Sequence, residues 1–475
     1  MKSQTKKEHL LPCRIVKSEG EIIAAENLFH EKPLQIGLME PELTTVNGKA
    51  YIILDYGKEI CGSARILTFT MSGPCRIRLR FGESVSETSA ELGEKGACND
   101  HALRDIHTSL ENYSDMTFCH TGFRFLRIDF LDDVVVNIKS ILAVSEIFEA
   151  PVVYEYKGGD KRIAEIFETA KRTVSLCAQS GYIWDGIKRD RLVWIGDMYP
   201  ETMSFTTIYG RQLITERSLD FVKDQTPLPG WMNGFPSYSM WWVIICADYY
   251  KKTGCKDYIE QQLDYMEGLM AQMNGCVSDD GTMNYPMYFV DWPTHDQPDE
   301  LAGVRAINIM ACKRAIDVLG EFGRSTEATK ELLAKLLRVE MNVKTAKQVM
   351  ALKYFANGEL SKDEAAMLVE GGAKGLSTFM SYFILKAIAE TSGVDIAVNI
   401  MKEYYGAMLD RGATTFFEDF NMEWLEGSSR IDELPKEGEK DLHGDYGAFC
   451  YVGFRHSFCH GWSAGVIMFI EEYLK

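Results

Sequence analysis

Two periods divide the chain. Up to residue 157, short runs are apolar or alternate apolar with polar positions: Tyr51–Leu54, Ala64–Met71, Cys75–Phe81, Phe123–Phe130 and Val134–Val144. CRIRLRF at 75–81 and RFLRIDFLD at 124–132 turn every second side chain to one face. Ser72-Gly73-Pro74 between two runs is turn chemistry. About nine such strands with few helical windows predict an antiparallel β-sandwich over residues 1–157. The polar stretch Ser84–Ser109 reads as a long loop between strands.

From residue 158 to 475 the period is helical. Asp160–Ser180 carries Ile163, Ile166, Phe167, Ala170, Val174 and Leu176, an apolar stripe at i, i+3, i+4 spacing. Further helices are expected at 200–219, 238–253, 256–274, 302–319, 327–339, 343–355, 361–370, 376–392, 394–409 and 461–474. They recur in pairs joined by short turns, with no sequence repeat to mark a solenoid. Paired helices near twelve in number fit a closed toroid with long loops on one rim.

Composition narrows the partners. Lys and Arg number 51 against 69 Asp and Glu, a formal charge of −18. Proteins that bind nucleic acid or anionic membranes need a basic surface, so both are excluded as partners. Neutral or cationic small molecules and neutral glycans remain. The 12 cysteines are scattered, with no CxxC pair, which argues against zinc or redox motifs and for reduced thiols in the cytoplasm. No apolar run reaches membrane-spanning length, and the N-terminus has no signal-peptide core. No metal or cofactor is expected. His101 and His107, six apart in a polar β-domain loop, are a poor basis for zinc.

Candidate chemistry concentrates in Tyr182–Glu201, YIWDGIKRDRLVWIGDMYPE. Asp185, Asp190 and Asp197 stand among Lys188, Arg189 and Arg191, interleaved with Trp184 and Trp194 and punctuated by Gly186 and Gly196. Carboxylates for acid–base work, Arg to orient hydroxyls and Trp to stack on a ring face make a sugar site. A surface salt-bridge cluster is the plainer reading, although solvated charges seldom alternate with Trp, Ile and Val. A second group lies in RGATTFFEDFNMEW at 411–424, with Glu418 and Asp419 among aromatics, and in FCHGWSAG at 458–465, with His460 and Trp462. Each of these residues alone would more often be structural.

Together these segments resemble the bacterial α-L-rhamnosidases of glycoside hydrolase family 78. DGIKRDRLVWIGD resembles the family's acidic, Arg-rich loop closed by W-x-G-D, and GATTFFED its second motif. FCHGWSAG resembles the family's segment before the last barrel helix, and Val290-Asp291-Trp292 a weaker Gly-Asp-Trp element. All four occur in the family's order between residues 160 and 475.

The resemblance implies an (α/α)6 barrel behind the β-sandwich, hydrolysing terminal α-L-rhamnosides with inversion. It makes Asp190 the general acid, where the family more often has Glu, and Glu418 the base that activates water. Neighbouring arginines favour the charged form of such an acid, and Asp185 and Asp197 the protonated form. Substrate contacts are implied for Asp185, Arg189, Trp194, Asp197, Trp231, Asp291, Trp292 and His460. Asp185, Asp190, Asp197, Asp291 and Glu418 would then set five negative charges around one pocket, which suits a neutral deoxy-sugar better than a polyanionic glycan. Another six-hairpin glycosidase with a different sugar, and a catalytically degenerate glycan binder, are the alternatives. The β-domain either packs on the barrel or offers a surface for a homodimer.

Overall fold

A computed structural model describes residues 4–31 and 42–474. The N-terminal domain is one antiparallel sheet folded on itself. Its strands are β1 (Thr5–Leu10), β2 (Arg14–Ile23), β3 (Thr44–Met71), β4 (Cys75–Gly82), β5 (Asp105–Leu110), β6 (Asp115–Phe130) and β7 (Val135–Phe148). The order is β1-β7-β3-β6-β4-β5, with β2 also paired to β3. The expected runs Tyr51–Leu54 and Ala64–Met71 are two halves of the 28-residue β3. Register shifts between Asp55 and Ile60 and between Gly62 and Ala64 bend that strand, so Val136 of β7 pairs with both Val46 and Met71. About nine strands are expected and seven form among the described residues of this domain, and one of the two differences is that the bulged β3 reads as two runs in the sequence. Cys75, Ile77, Leu79 and Phe81 fill the interior from one face of β4. Ser84–Ser109 is no simple loop: it holds the short helix α1 (Val85–Ser89), capped by Ser84, and the start of β5.

Beyond residue 160 the chain is helical. In order come α2 (Lys161–Cys177), α3 (Met198–Tyr209), α4 (Leu213–Asp224), α5 (Pro236–Thr253), α6 (Lys256–Ile259), α7 (Leu263–Gly275) and α8 (Glu300–Glu321). Then follow α9 (Glu327–Leu336), α10 (Lys347–Asn357), α11 (Lys362–Val369), α12 (Ser381–Thr391), α13 (Val394–Asp410) and α14 (Val466–Tyr473). The helix expected over 200–219 is two, because Gly210 at φ 67 ends α3 and the chain turns before α4. The single helix expected over 256–274 is likewise broken near Glu260–Gln262.

Helices α3, α5, α8, α10, α12 and α14 pack each on the next, and α14 returns to α3, closing an inner ring. All twelve residues of α3 are buried, as a helix surrounded by other helices requires. Amphipathic helices such as α2, α4 and α9 form the outer layer, each with one buried stripe. Alternation of outer and inner helices makes the inner ones parallel, so their N-termini meet at one end. No helix among the described residues is long and apolar enough to cross a membrane.

Candidate active site

The loop between α2 and α3 is stitched into a compact ring. Asp185 donates its backbone N–H to the Leu192 carbonyl at 3.0 Å, and its Oδ1 accepts the Leu192 N–H at 2.8 Å. Within the ring, Asp190 and Arg191 adopt φ of 54° and 57°, a region L-residues seldom occupy. Each basic side chain leaves in its own direction. Arg189 turns inward, with Nη1 3.3 Å from both Asp190 oxygens and Nη2 donating to Oε1 of Glu418. Arg191 turns away from Asp190, stacking 4.6 Å over Trp184 and bonding His120 Nδ1 at 2.8 Å. Two of the charged and aromatic residues expected at a sugar site thus serve the domain interface.

Lys188 is buried at that interface. Its Nζ lies 3.0 Å from Glu83 and 3.3 Å from Glu87, and donates to the carbonyls of Phe454 and His456. Arg104 pairs with Glu87 from the other side. Glu83 in turn accepts the Phe458 N–H at 2.6 Å and the Ser457 hydroxyl at 3.3 Å. Ser457 N–H reaches Oε2 of Glu418 at 3.2 Å, while Glu418 N–H donates to the Ser457 carbonyl at 2.9 Å. Glu418 is therefore held by a segment that the β-domain itself holds. The loop and C-terminal segment also meet directly, through Gly461 N–H on the Asp185 carbonyl at 2.6 Å.

These segments line an open pocket with about 80 Å³ of free volume at the N-terminal end of the inner ring. Asp185, Arg189, Asp190, Trp194, Asp197, Trp292, Glu418 and His460 all line it, as the sequence reading groups them. Phe235, Tyr238, Phe289, Cys450 and Trp462 complete the wall. Two expected residues are elsewhere. Trp231 packs edge-on against Tyr285 and borders a different cavity, and Phe235, one helical turn later, faces the pocket instead. Asp291 lies behind the wall: it caps the turn Trp292–Thr294, accepting the Thr294 N–H at 3.1 Å, and so orients Trp292. Asp419, next to Glu418, accepts its neighbour's backbone N–H and is not part of the pocket lining.

Burial dominates the electrostatics. It pushes Glu418 up to about 7, against the pull of Arg189 and the Ser457 N–H. Asp185 and Asp197 are pushed well above the usual carboxylate range by burial first and by facing carboxyls second. His460 is held neutral, because burial and then Arg189 disfavour its cation. Its Nε2 lies 3.8 Å from Asp185, 3.9 Å from Asp197 and 3.7 Å from Glu418, so four polar groups converge on one face of the pocket.

Sequence reasoning missed Glu201, Glu83 and His101. Glu201 follows Asp197 by four residues on α3, a spacing that puts both on one helix face. It is fully buried, neither oxygen has a hydrogen-bond partner, and burial raises its carboxyl well above the usual range. Asp197, Glu201 and His460 offer donor atoms within 4.8 Å of one another, as do Glu83, Glu87 and His443. In the second group the Lys188 ammonium supplies the positive charge. Glu83 and His101 carry no local signal, since only the fold brings the β-domain to the loop.

A toroid of paired helices with a carboxyl-rich, aromatic-walled pocket at the N-terminal end of its inner ring is the architecture of a six-hairpin domain. Residues 155–366 match the family model of the bacterial alpha-L-rhamnosidase 6 hairpin glycosidase domain. The fold is similar to a rhamnosidase from Klebsiella oxytoca solved with rhamnose bound, with a TM-score of 0.75 at 16% identity over 99% of this chain and 96% of that one. A family 78 rhamnosidase of Bacillus gives 0.72 at 17% over 94% of this chain, and a Streptomyces avermitilis α-L-rhamnosidase complexed with L-rhamnose gives 0.67 at 13% over 98%. This chain spans only 48% and 43% of those two. A search of curated protein sequences finds no match.

Proposed function

We propose that the protein hydrolyses terminal α-L-rhamnosides of oligosaccharides or glycosides with inversion at the anomeric carbon. The observation that carries this reading is Arg189, whose guanidinium contacts both Asp190 and Glu418 within one aromatic-walled pocket. A cation between two carboxyls holds them apart, and inversion needs a gap of about 6.5–9.5 Å for water. Asp190, the more exposed carboxyl, protonates the glycosidic oxygen as its bond to C1 breaks. Glu418, ionised, takes a proton from the water whose oxygen bonds C1 from the opposite face. Asp190 ends as a carboxylate and Glu418 protonated, and both exchange protons with solvent to reset.

Asp185, Asp197 and His460 would bind ring hydroxyls, and Trp194 and Trp292 would pack on the sugar's apolar face. Four acids line the pocket itself, which favours a neutral sugar over a uronic one. The twelve cysteines are unpaired, consistent with a cytoplasmic site of action. Release of p-nitrophenol from its α-L-rhamnoside tests the activity, and proton NMR of the first-formed anomer tests inversion. Asp190→Asn and Glu418→Gln should each lose on the order of 10²–10⁴-fold in kcat/KM, the acid variant less on this activated leaving group. Full activity in either variant would contradict the assignment.

A further inference from the structure

Two strained turns meet across the domain boundary. Arg191 N–H donates to the Arg189 carbonyl at 2.7 Å around Asp190, whose φ is 54°. Ala102 N–H donates to the Asp100 carbonyl at 2.8 Å around His101, whose φ is 66°. Both are three-residue turns of the positive-φ kind, which are rare because they strain an L-residue. Their central residues touch: the Asp190 backbone N–H donates to His101 Nδ1 at 2.7 Å, and the same nitrogen lies 3.0 Å from Oδ1 of Asp190.

The loop carrying His101 is braced to make this contact. Asn99 Oδ1 accepts the N–H groups of Arg104 and Asp105 at 3.0 Å each. Arg104 donates to the Cys98 carbonyl at 2.7 Å. Arg455 pairs with Asp100 and also holds the carbonyl of Cys450, a pocket residue. A ring nitrogen that accepts an N–H carries no proton, so the proton of neutral His101 is on Nε2. The Nδ1 lone pair is thereby committed to the Asp190 backbone N–H, and the ring edge beside it sets the place of the Asp190 carboxyl, 3.0 Å away. Arg189 approaches that carboxyl from the other side at 3.3 Å.

We infer that His101, from the β-domain, is a positioning residue for Asp190: its Nδ1 fixes the backbone of the acid and orients its carboxyl toward the leaving group. The β-domain thereby completes the active site of the barrel. This inference rests on Asp190 being the general acid.

The test compares His101→Ala, His101→Asn and the unaltered protein on two rhamnosides, one with a 2,4-dinitrophenyl leaving group and one with an alkyl leaving group. Departure of the first needs little protonation. His101→Ala should lower kcat/KM about tenfold or more on the alkyl substrate and less than about threefold on the aryl one. Asn, whose amide oxygen can accept the same N–H, should restore most of the loss. Equal losses on both substrates, no loss, or no rescue by Asn would overturn the inference. Long-range nitrogen–proton NMR of the His101 ring provides a second reading that needs no turnover. It should give the Nε2–H tautomer at neutral pH, and an Nδ1–H tautomer overturns the contact itself. If the unaltered protein cleaves neither substrate, the rhamnosidase reading fails, and the NMR result still decides whether the His101 contact exists.

Discussion

Arg189 donates Nη2 to Oε1 of Glu418, and both side chains are buried. This pairing sets the charge of the proposed base. Burial alone would keep Glu418 protonated at neutral pH, and Arg189 opposes it, leaving the group at about 7. A base acts only when ionised, so kcat/KM should fall as pH drops below about 7, approaching tenfold per unit. Arg189→Met removes the stabilising cation, and the ionised form then requires a higher pH. The acidic limb of the pH–rate profile should move upward by a measurable fraction of a unit or more, besides any loss in rate. An unmoved limb would mean that Arg189 does not control Glu418.

A second prediction concerns stability. Lys188 lies between Glu83 and Glu87 with its side chain 3% exposed, and burial lowers its ammonium to about 8. Lys188→Met would leave Glu83 without its cation at the joint between sheet and barrel. Breaking a buried pair from one side costs about 3–5 kcal/mol. The urea midpoint should fall accordingly, and activity should fall with it, because Glu83 holds the Ser457–Phe458 segment on which Glu418 rests. The double variant with Glu83→Gln should recover part of the stability. A midpoint unchanged in Lys188→Met would show that the network carries no such burden.

The layer plan of this molecule is legible in its hydrophobic spacing, and the acidic loop in its composition. Period-two runs mark the sheet, and the stripe Ile163, Ile166, Phe167, Ala170 marks α2, because burial on one face is a local property of the chain. Strand continuity is not local. Tyr51–Leu54 and Ala64–Met71 look separate because the bulges between them interrupt alternation, yet one strand runs through both. The pocket shows the same division. Eight of the ten residues implied by the resemblance line it, whereas Trp231 borders another cavity and Asp291 caps the turn behind Trp292. His101 and Glu83 lie far from the loop in sequence, and only domain packing brings them to it.

That difference between Trp231 and Trp292 is itself testable. Trp292 lines the pocket and stacks on Phe449 with ring centres 5.8 Å apart, so Trp292→Ala should raise KM for a rhamnoside by about tenfold, the loss of roughly 1–2 kcal/mol of stacking on the sugar. Trp231→Ala should leave KM within about twofold and lower thermal stability instead, since its ring packs on Tyr285 away from the site. Equal effects on KM would place Trp231 in the substrate's path after all.

Glu201 provides a pH signature of folding. In the folded chain its carboxyl is raised well above the usual value by burial, then by Asp197 and Asp185. In the unfolded chain it ionises near about 4.3. Folding therefore takes up a proton at this residue at any pH between those two values. The sign follows: below about 4.3 both states are protonated and nothing is lost, and as pH rises toward the folded value, stability drains away. Gln at 201 has the same shape and cannot ionise in either state, so its contribution does not vary with pH. Glu201→Gln should accordingly match the unaltered protein in urea midpoint near pH 5 and exceed it increasingly toward pH 8. The remaining slope belongs to Asp185 and Asp197, which are raised for the same reasons. Parallel midpoint curves for the two proteins would mean that Glu201 is ionised in the fold, and that a cation beside Asp197 and His460 compensates it.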